Sequence, residues 1–277
     1  MTRRLIVNAD DYGICEPVNL GIIKGHREGI ITSTTILAGG ASAEHAAELA
    51  RNNPGLGVGV HLCLVLERPV LDPCIIPSIT EGGKLYGSSF HFMRRLVVGL
   101  VRLSEVEAEL RAQIERTIAL GIRPTHLDGH QHMHAMPGVL GVVVKLATEF
   151  GIPAVRYPVG PWTNKPGAAR VAEKVILESI AWSGKGKIDS AGIRHTASFF
   201  GLAETGRLST EALLDILEKL PEGTSELMCH PGLRDDTLAR EINWGYGWET
   251  ELSAVTDARA LQYVRDNGIE LVSYAGL

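Results

Sequence analysis

Short apolar runs alternate with stretches of helical period along most of this 277-residue chain, and that alternation limits its fold more than any other feature. LIVNA, Leu5 to Ala9, is apolar without a helical period and stops at Asp10, Asp11 and Gly13, so it reads as a buried strand followed by a turn. Pro17 then opens a helix ending at Gly29, and ITSTTIL (31–37) is a β-branched strand. AEHAAELARN (43–52) is a helix stopped by Pro54, and LGVGVHLCL (56–64) is a third strand carrying His61 near its end.

The rhythm returns further on. Ser104-x-x-Glu107 has the form of a capping box ahead of a helix closed by Gly121, and a fourth strand follows from Thr125. A helix over 138–150, a strand at IPAVRYP (152–158) and helices within 168–182 and 210–220 come next. SELMCHPG is a strand ending in His230, and a helix near 254–267 leads to IELVSY. About seven or eight strands separated by helices predict one α/β domain over residues 1–277, a (β/α) barrel of mostly parallel strands. Residues 66–103 break the pattern with Pro69, Pro73, Pro77 and Gly82-Gly83, which predicts an inserted functional loop or lid.

At 45% hydrophobic residues the chain can bury a large core. A net charge of -5 without a basic run argues against nucleic acid, and no apolar run is long enough to span a membrane. Arg3 and Arg4 precede only LIV before polar residues, so an export signal lacks its hydrophobic region and a cytoplasmic protein is expected. Cys15, Cys63, Cys74 and Cys229 form no CxxC pair and are expected as reduced, buried fillers.

Thr125 to Met136, THLDGHQHMHAM, holds His126, Asp128, His130, His132 and His134, a density of imidazole and carboxylate that points to a metal site. On a regular strand His126 and His130 would stand about 13 Å apart, too far to share one ion. Gly129 permits the chain to turn, so the ligands belong at the C-terminal lip of this strand, and His130 is favoured. His134 is expected on the loop surface. Asp10 and Asp11 after strand one, His61 at the end of strand three, His130 and His230 would all open on one face of a barrel.

VNADDYG, ITSTTIL, GVHL, THLDGHQHMH followed by Pro137, and MCHPG occur in an order and spacing that resembles the YdjC-like carbohydrate deacetylases, the ChbG/HpnK group, over essentially the whole chain. The resemblance implies a distorted (β/α) barrel holding one divalent metal ion, magnesium or zinc foremost, and removal of acetyl from an N-acetylated sugar, oligosaccharide or glycolipid. It implies Asp11, His61 and His130 as metal ligands, Asp10 as base, His230 as acid, and a homodimer. The segment beginning ERPVL (67–71) looks closer to the HpnK-like branch.

Asp128 and His132 would orient a ligand or face substrate. Arg156, Tyr157 and Trp162, with Trp244, Tyr246 and Trp248, would supply hydrogen bonds and stacking to a sugar. Another barrel hydrolase such as a phosphoesterase, or a non-catalytic sugar-binding protein, are the competing readings.

Overall fold

The structure, a computed structural model, describes residues 2–161, 168–233, 238, 240, 242 and 244–277. Its centre is β1 (Arg3–Tyr12), paired in parallel with β8 (Gly223–Cys229) along one edge. The other edge is shared: β9 (Glu270–Leu271) pairs near Arg4 and Leu5, and β2 (Ser33–Ile36) pairs from Asn8 onward. Beyond β2 lie β3 (Gly57–Leu62) and β6 (Leu127–Gly129), and beyond β8 lies β7 (Ser198–Phe200), all parallel. Strands covered on both faces need apolar residues throughout, which is why LIVNA shows no alternation. Leu5, Ile6, Val7 and Ala9 are fully buried.

The expected fifth strand is not a strand. Proline at 153 and 158 deprives IPAVRYP of two backbone donors. It makes only bridges, Leu127 with Val155 and Ala154 with Arg194. Those bridges still do a strand's work, because Leu127 donates to Ala154, Arg156 to Leu127, and Val155 to Arg194 at 2.9–3.0 Å. Backbone pairing therefore passes from β6 to the stretch leading into β7, and the curled sheet is a distorted barrel.

Helices α1 (Glu16–Glu28), α2 (Ala43–Arg51), α4 (Leu103–Ala119), α5 (Val139–Glu149), α6 (Ala168–Ser190) and α7 (Thr210–Glu218) cover the strands. The single helix expected near 254–267 is two, α8 (Trp248–Val255) and α9 (Ala258–Asp266), the second capped by Asp257 accepting from the Arg259 amide. Segment 66–103 contains a two-stranded hairpin, β4 (Thr80–Glu81) and β5 (Lys84–Leu85), and a helix α3 (Ser89–Val97). Glycines at 82 and 83, with φ of 57° and 81°, make the hairpin turn.

The capping box is corrected as well. Helix α4 starts at Leu103, so Ser104 lies inside it and caps nothing. Its carboxylates hold the inserted segment instead: Glu105 accepts from the Ser78 amide at 2.7 Å, and buried Glu109 accepts from Val70 and Leu71 at 2.8 and 3.0 Å. A proline-rich segment with few backbone partners of its own is thus fixed by acceptors from a neighbouring helix. All four cysteines are free thiols, but Cys74 is exposed. Among the described residues no helix is long and apolar enough to cross a membrane.

Candidate active site

Asp10 and Asp11 lie inside β1 rather than in a turn beyond it. The register with β2 shifts between Ala9 and Tyr12, and within this irregularity Asp11 adopts a left-handed backbone with φ 66°. Aspartate tolerates that region better than most residues, and the twist turns consecutive carboxylates toward different partners. Asp11 meets the histidines, and Asp10 meets Arg156. A second left-handed pair, Gln131 and His132 at φ 50° and 55°, kinks the 3-10 turn 130–135 after β6 and lets His130 fold back toward β3.

Asp11 Oδ1 lies 3.1 Å from His130 Nδ1 and 3.4 Å from His61 Nε2, all three side chains being buried. Burial opposes ionisation of Asp11, but its two imidazole partners outweigh burial and hold the carboxyl well below the usual range. On the other face of His61, Nδ1 lies 2.8 Å from Asp128 Oδ1. That contact, with Asp11, overcomes burial and raises the His61 pKa well above its ordinary value. Thr35 Oγ1 donates to the second Asp128 oxygen at 3.0 Å, so Asp128 is fixed and in turn sets the His61 ring with Nε2 toward Asp11.

Donor atoms of Asp11, His61 and His130 lie within 4.8 Å of one another, and buried His130 Nε2 has no hydrogen-bond partner among the described residues. One carboxylate and two imidazoles, one ring oriented through its far nitrogen, fit a divalent cation and leave coordination positions for other ligands. Asp10, His61 and Asp128 meet the same distance limit. There the carboxylates are already committed to a guanidinium, so the first trio is the better cation site.

Arg156 is committed to carboxylates. Its fully buried guanidinium bonds both Asp10 oxygens at 2.6 and 2.7 Å, Asp128 at 2.9 Å and Glu226 at 2.9 Å. Glu226 also accepts from Tyr274 Oη at 2.5 Å. Burial outweighs both partners and pushes Glu226 up to about 7, which places an exchangeable proton among the carboxylates around one cation. Asn8 Nδ2 donates to Asp10 at 2.9 Å, so Asp10 is held from two sides.

His230 follows β8 at the same lip. Its amide donates to Glu251 Oε2 at 2.5 Å, and its Nδ1 lies 3.7 Å from that oxygen. Burial would depress the imidazole, but Glu251 outweighs it and raises the pKa. Asp10, His61, His130, His132 and His230 line one cavity of about 450 Å³ together with Tyr246. His132 is kept neutral by burial and by Arg156. Much of the remaining wall is apolar, including Met93, Met133, Leu177 and Met228.

Other expected residues fall elsewhere. Tyr157 is buried against His195, with ring centres 4.9 Å apart. His134 is buried rather than on a loop surface, and its Nε2 lies 3.1 Å from the Arg156 carbonyl. His126 stacks on Tyr274 with ring centres 3.7 Å apart. Trp244 packs near His130, Trp248 is buried, and Trp162 lies outside the described residues. Glu251, Glu226 and Thr35 escaped the sequence reading. Glu251 looks like an ordinary first-turn helix carboxylate, and nothing local marks it.

A parallel, curled α/β sheet with a buried carboxylate and imidazole trio at its C-terminal lip is the arrangement of a barrel enzyme. The chain belongs to the YdjC-like protein family, whose model matches residues 4–266. It is 35% identical to a carbohydrate deacetylase of Brevibacillus brevis, covering 99% of both chains. It is 33% identical to a chitooligosaccharide deacetylase of Escherichia fergusonii, again covering 99% of each. A crystal structure from Enterococcus faecalis V583, of a protein named for cellobiose-phosphate cleavage, matches with a TM-score of 0.80 at 28% identity, covering 100% of this chain and 99% of that one.

Proposed function

We propose that this chain hydrolyses the acetamide of an N-acetylated sugar, releasing acetate and a free amino sugar, and that it does so with one divalent cation. The observation that carries this reading is the shared cavity, where Asp10 and His230 border the same space as two of the three proposed ligands, His61 and His130. The sugar deacetylases to which the chain is similar over almost all its length support the substrate class.

Asp11, His61 and His130 would hold the cation, which when bound supplies Lewis acidity toward the acetamide oxygen and toward water. Asp10 is the general base: Arg156 fixes its carboxylate by two bonds, while further lone pairs remain to accept the water's proton during attack on the acetyl carbon. Collapse of the tetrahedral intermediate breaks the carbon–nitrogen bond, and His230 gives its proton to the departing amine. Its raised pKa favours the protonated form that this step needs. Tyr246, edge-on to His230 with ring centres 5.0 Å apart, offers a face for the sugar ring. The free thiols suit a reducing compartment, and we place the activity in the cytoplasm.

Among the described residues no lysine or arginine lines the cavity, whereas phosphoryl transfer would call for such a clamp. The test is release of acetate and primary amine from N-acetylglucosamine, its short oligomers and an N-acetylglucosaminyl lipid, beside phosphate release from sugar phosphates. Acetate and amine in equal amounts support the proposal; phosphate without acetate refutes it.

A further inference from the structure

The two helices that give the cavity its apolar wall also turn apolar side chains to the outside. Helix α3 contributes Ser89 and Met93 to the cavity, and α6 contributes Ile176, Leu177 and Ile180. On the adjoining face of α3, Phe90, Arg94 and Val97 follow one helical stripe, with Phe90 and Val97 70% and 85% exposed. Val98 and Leu100 continue the patch at 62% and 53%, and on α6 Val175, Ile176 and Trp182 are 49%, 56% and 73% exposed. Eight of the eleven large hydrophobic side chains exposed among the described residues lie within 90–103 or 175–182. A soluble protein scatters such residues, and concentration at a cavity mouth marks a contact surface.

Charge selects the partner. The chain carries a net charge of -5, yet residues 82–104 contain Lys84, Arg94, Arg95 and Arg102 and no carboxylate. Arg95 lies over the Tyr86 ring and Arg102 pairs with Glu105, while exposed Arg94 has no ion pair among the described residues. A twofold contact through this face would set the carboxylate-free basic segment 82–104 against its own copy. Apolar side chains flanked by arginine suit the boundary of an anionic bilayer, where acyl chains receive the former and headgroups the latter.

We propose that α3, the turn 98–103 and the outer face of α6 dock the cavity mouth onto an anionic lipid surface. Substrate would then enter from the bilayer, with its apolar portion against Met93 and Leu177. The docking itself does not rest on the deacetylase reading and is measured without substrate.

The experiment sediments the full chain with vesicles of phosphatidylcholine alone and of phosphatidylcholine mixed with phosphatidylglycerol, at low and high salt. Wild type partitions onto the anionic vesicles, less so at high salt, and the triple variant Phe90→Ser, Val97→Ser, Val98→Ser weakens partitioning at least about tenfold. Its melting temperature and its rate on a water-soluble substrate stay unchanged, because the three positions face solvent. Absence of wild-type binding, or equal binding by the variant, overturns the proposal. So does a wild-type dimer that the triple variant converts to monomer, since the face would then belong to a second copy.

Discussion

One oxygen of Glu251 governs His230 twice, accepting from its backbone amide at 2.5 Å and standing 3.7 Å from its Nδ1. The first contact places the residue at the end of β8, and the second raises the pKa of a buried imidazole against desolvation.

Replacing Glu251 with Gln keeps an acceptor for the amide and removes the charge. The raised pKa of His230 must then fall. Activity that needs the imidazolium is lost as pH rises through that pKa, so the alkaline limb of the kcat profile moves to lower pH. A pH–rate profile of Glu251→Gln beside wild type checks this, and an unmoved limb counts against His230 as the acid.

Arg156→Met leaves Asp10, Asp128 and Glu226 around a vanished cation. Removing one partner from a buried ionic network costs about 3–5 kcal/mol, and the expected result is a large drop in melting temperature at neutral pH. Acidification recovers part of it, because Glu226, already pushed up to about 7 beside its partner, takes a proton more readily without it. Thermal unfolding at several pH values gives the answer.

Asp128→Asn preserves shape but has one oxygen where Asp128 uses two, Oδ1 for His61 and Oδ2 for Thr35 and Arg156, so the ring loses its fixed tautomer. Metal affinity is expected to fall about 10–100-fold, read by calorimetric titration of the stripped protein.

Gly21 on α1 faces the loop that follows His230, and a β-carbon there would sit 2.5 Å from the Gly232 α-carbon. Alanine gains about 1 kcal/mol of helix propensity, but the overlap is with backbone, which costs about 1–3 kcal/mol and shifts the loop. Gly21→Ala should lower both the melting temperature and kcat, although it touches neither the proposed ligands nor the proposed base.

Much of the barrel was legible because parallel strands buried on both faces favour apolar and β-branched residues: the Leu5–Ala9 run of β1 and the Val58–Leu62 run of β3 are largely apolar, and β2 is marked by its threonines and isoleucine. The proposed site was read from strand ends that open on one lip. What stayed hidden depends on pairing across long separations. Arg156 reads as a polar residue beside Tyr157, and only the fold reveals three carboxylates converging on it from β1, β6 and β8. Helix α3 was missed because it spans only nine residues inside a segment whose prolines and glycines read as loop. His134 is buried because the left-handed pair Gln131 and His132 folds the turn inward, a backbone choice with no sequence signature.

The most direct test is acetate release from N-acetylglucosamine oligomers by chelator-stripped protein, reloaded with single divalent metals, beside Asp11→Asn. Asparagine tolerates the left-handed backbone at this position, so the variant keeps the fold while losing the carboxylate. Hydrolysis that depends on the cation predicts no release without metal, recovery on reloading, and a loss of at least about a thousandfold in the variant. Full activity after stripping, or in Asp11→Asn, would contradict it.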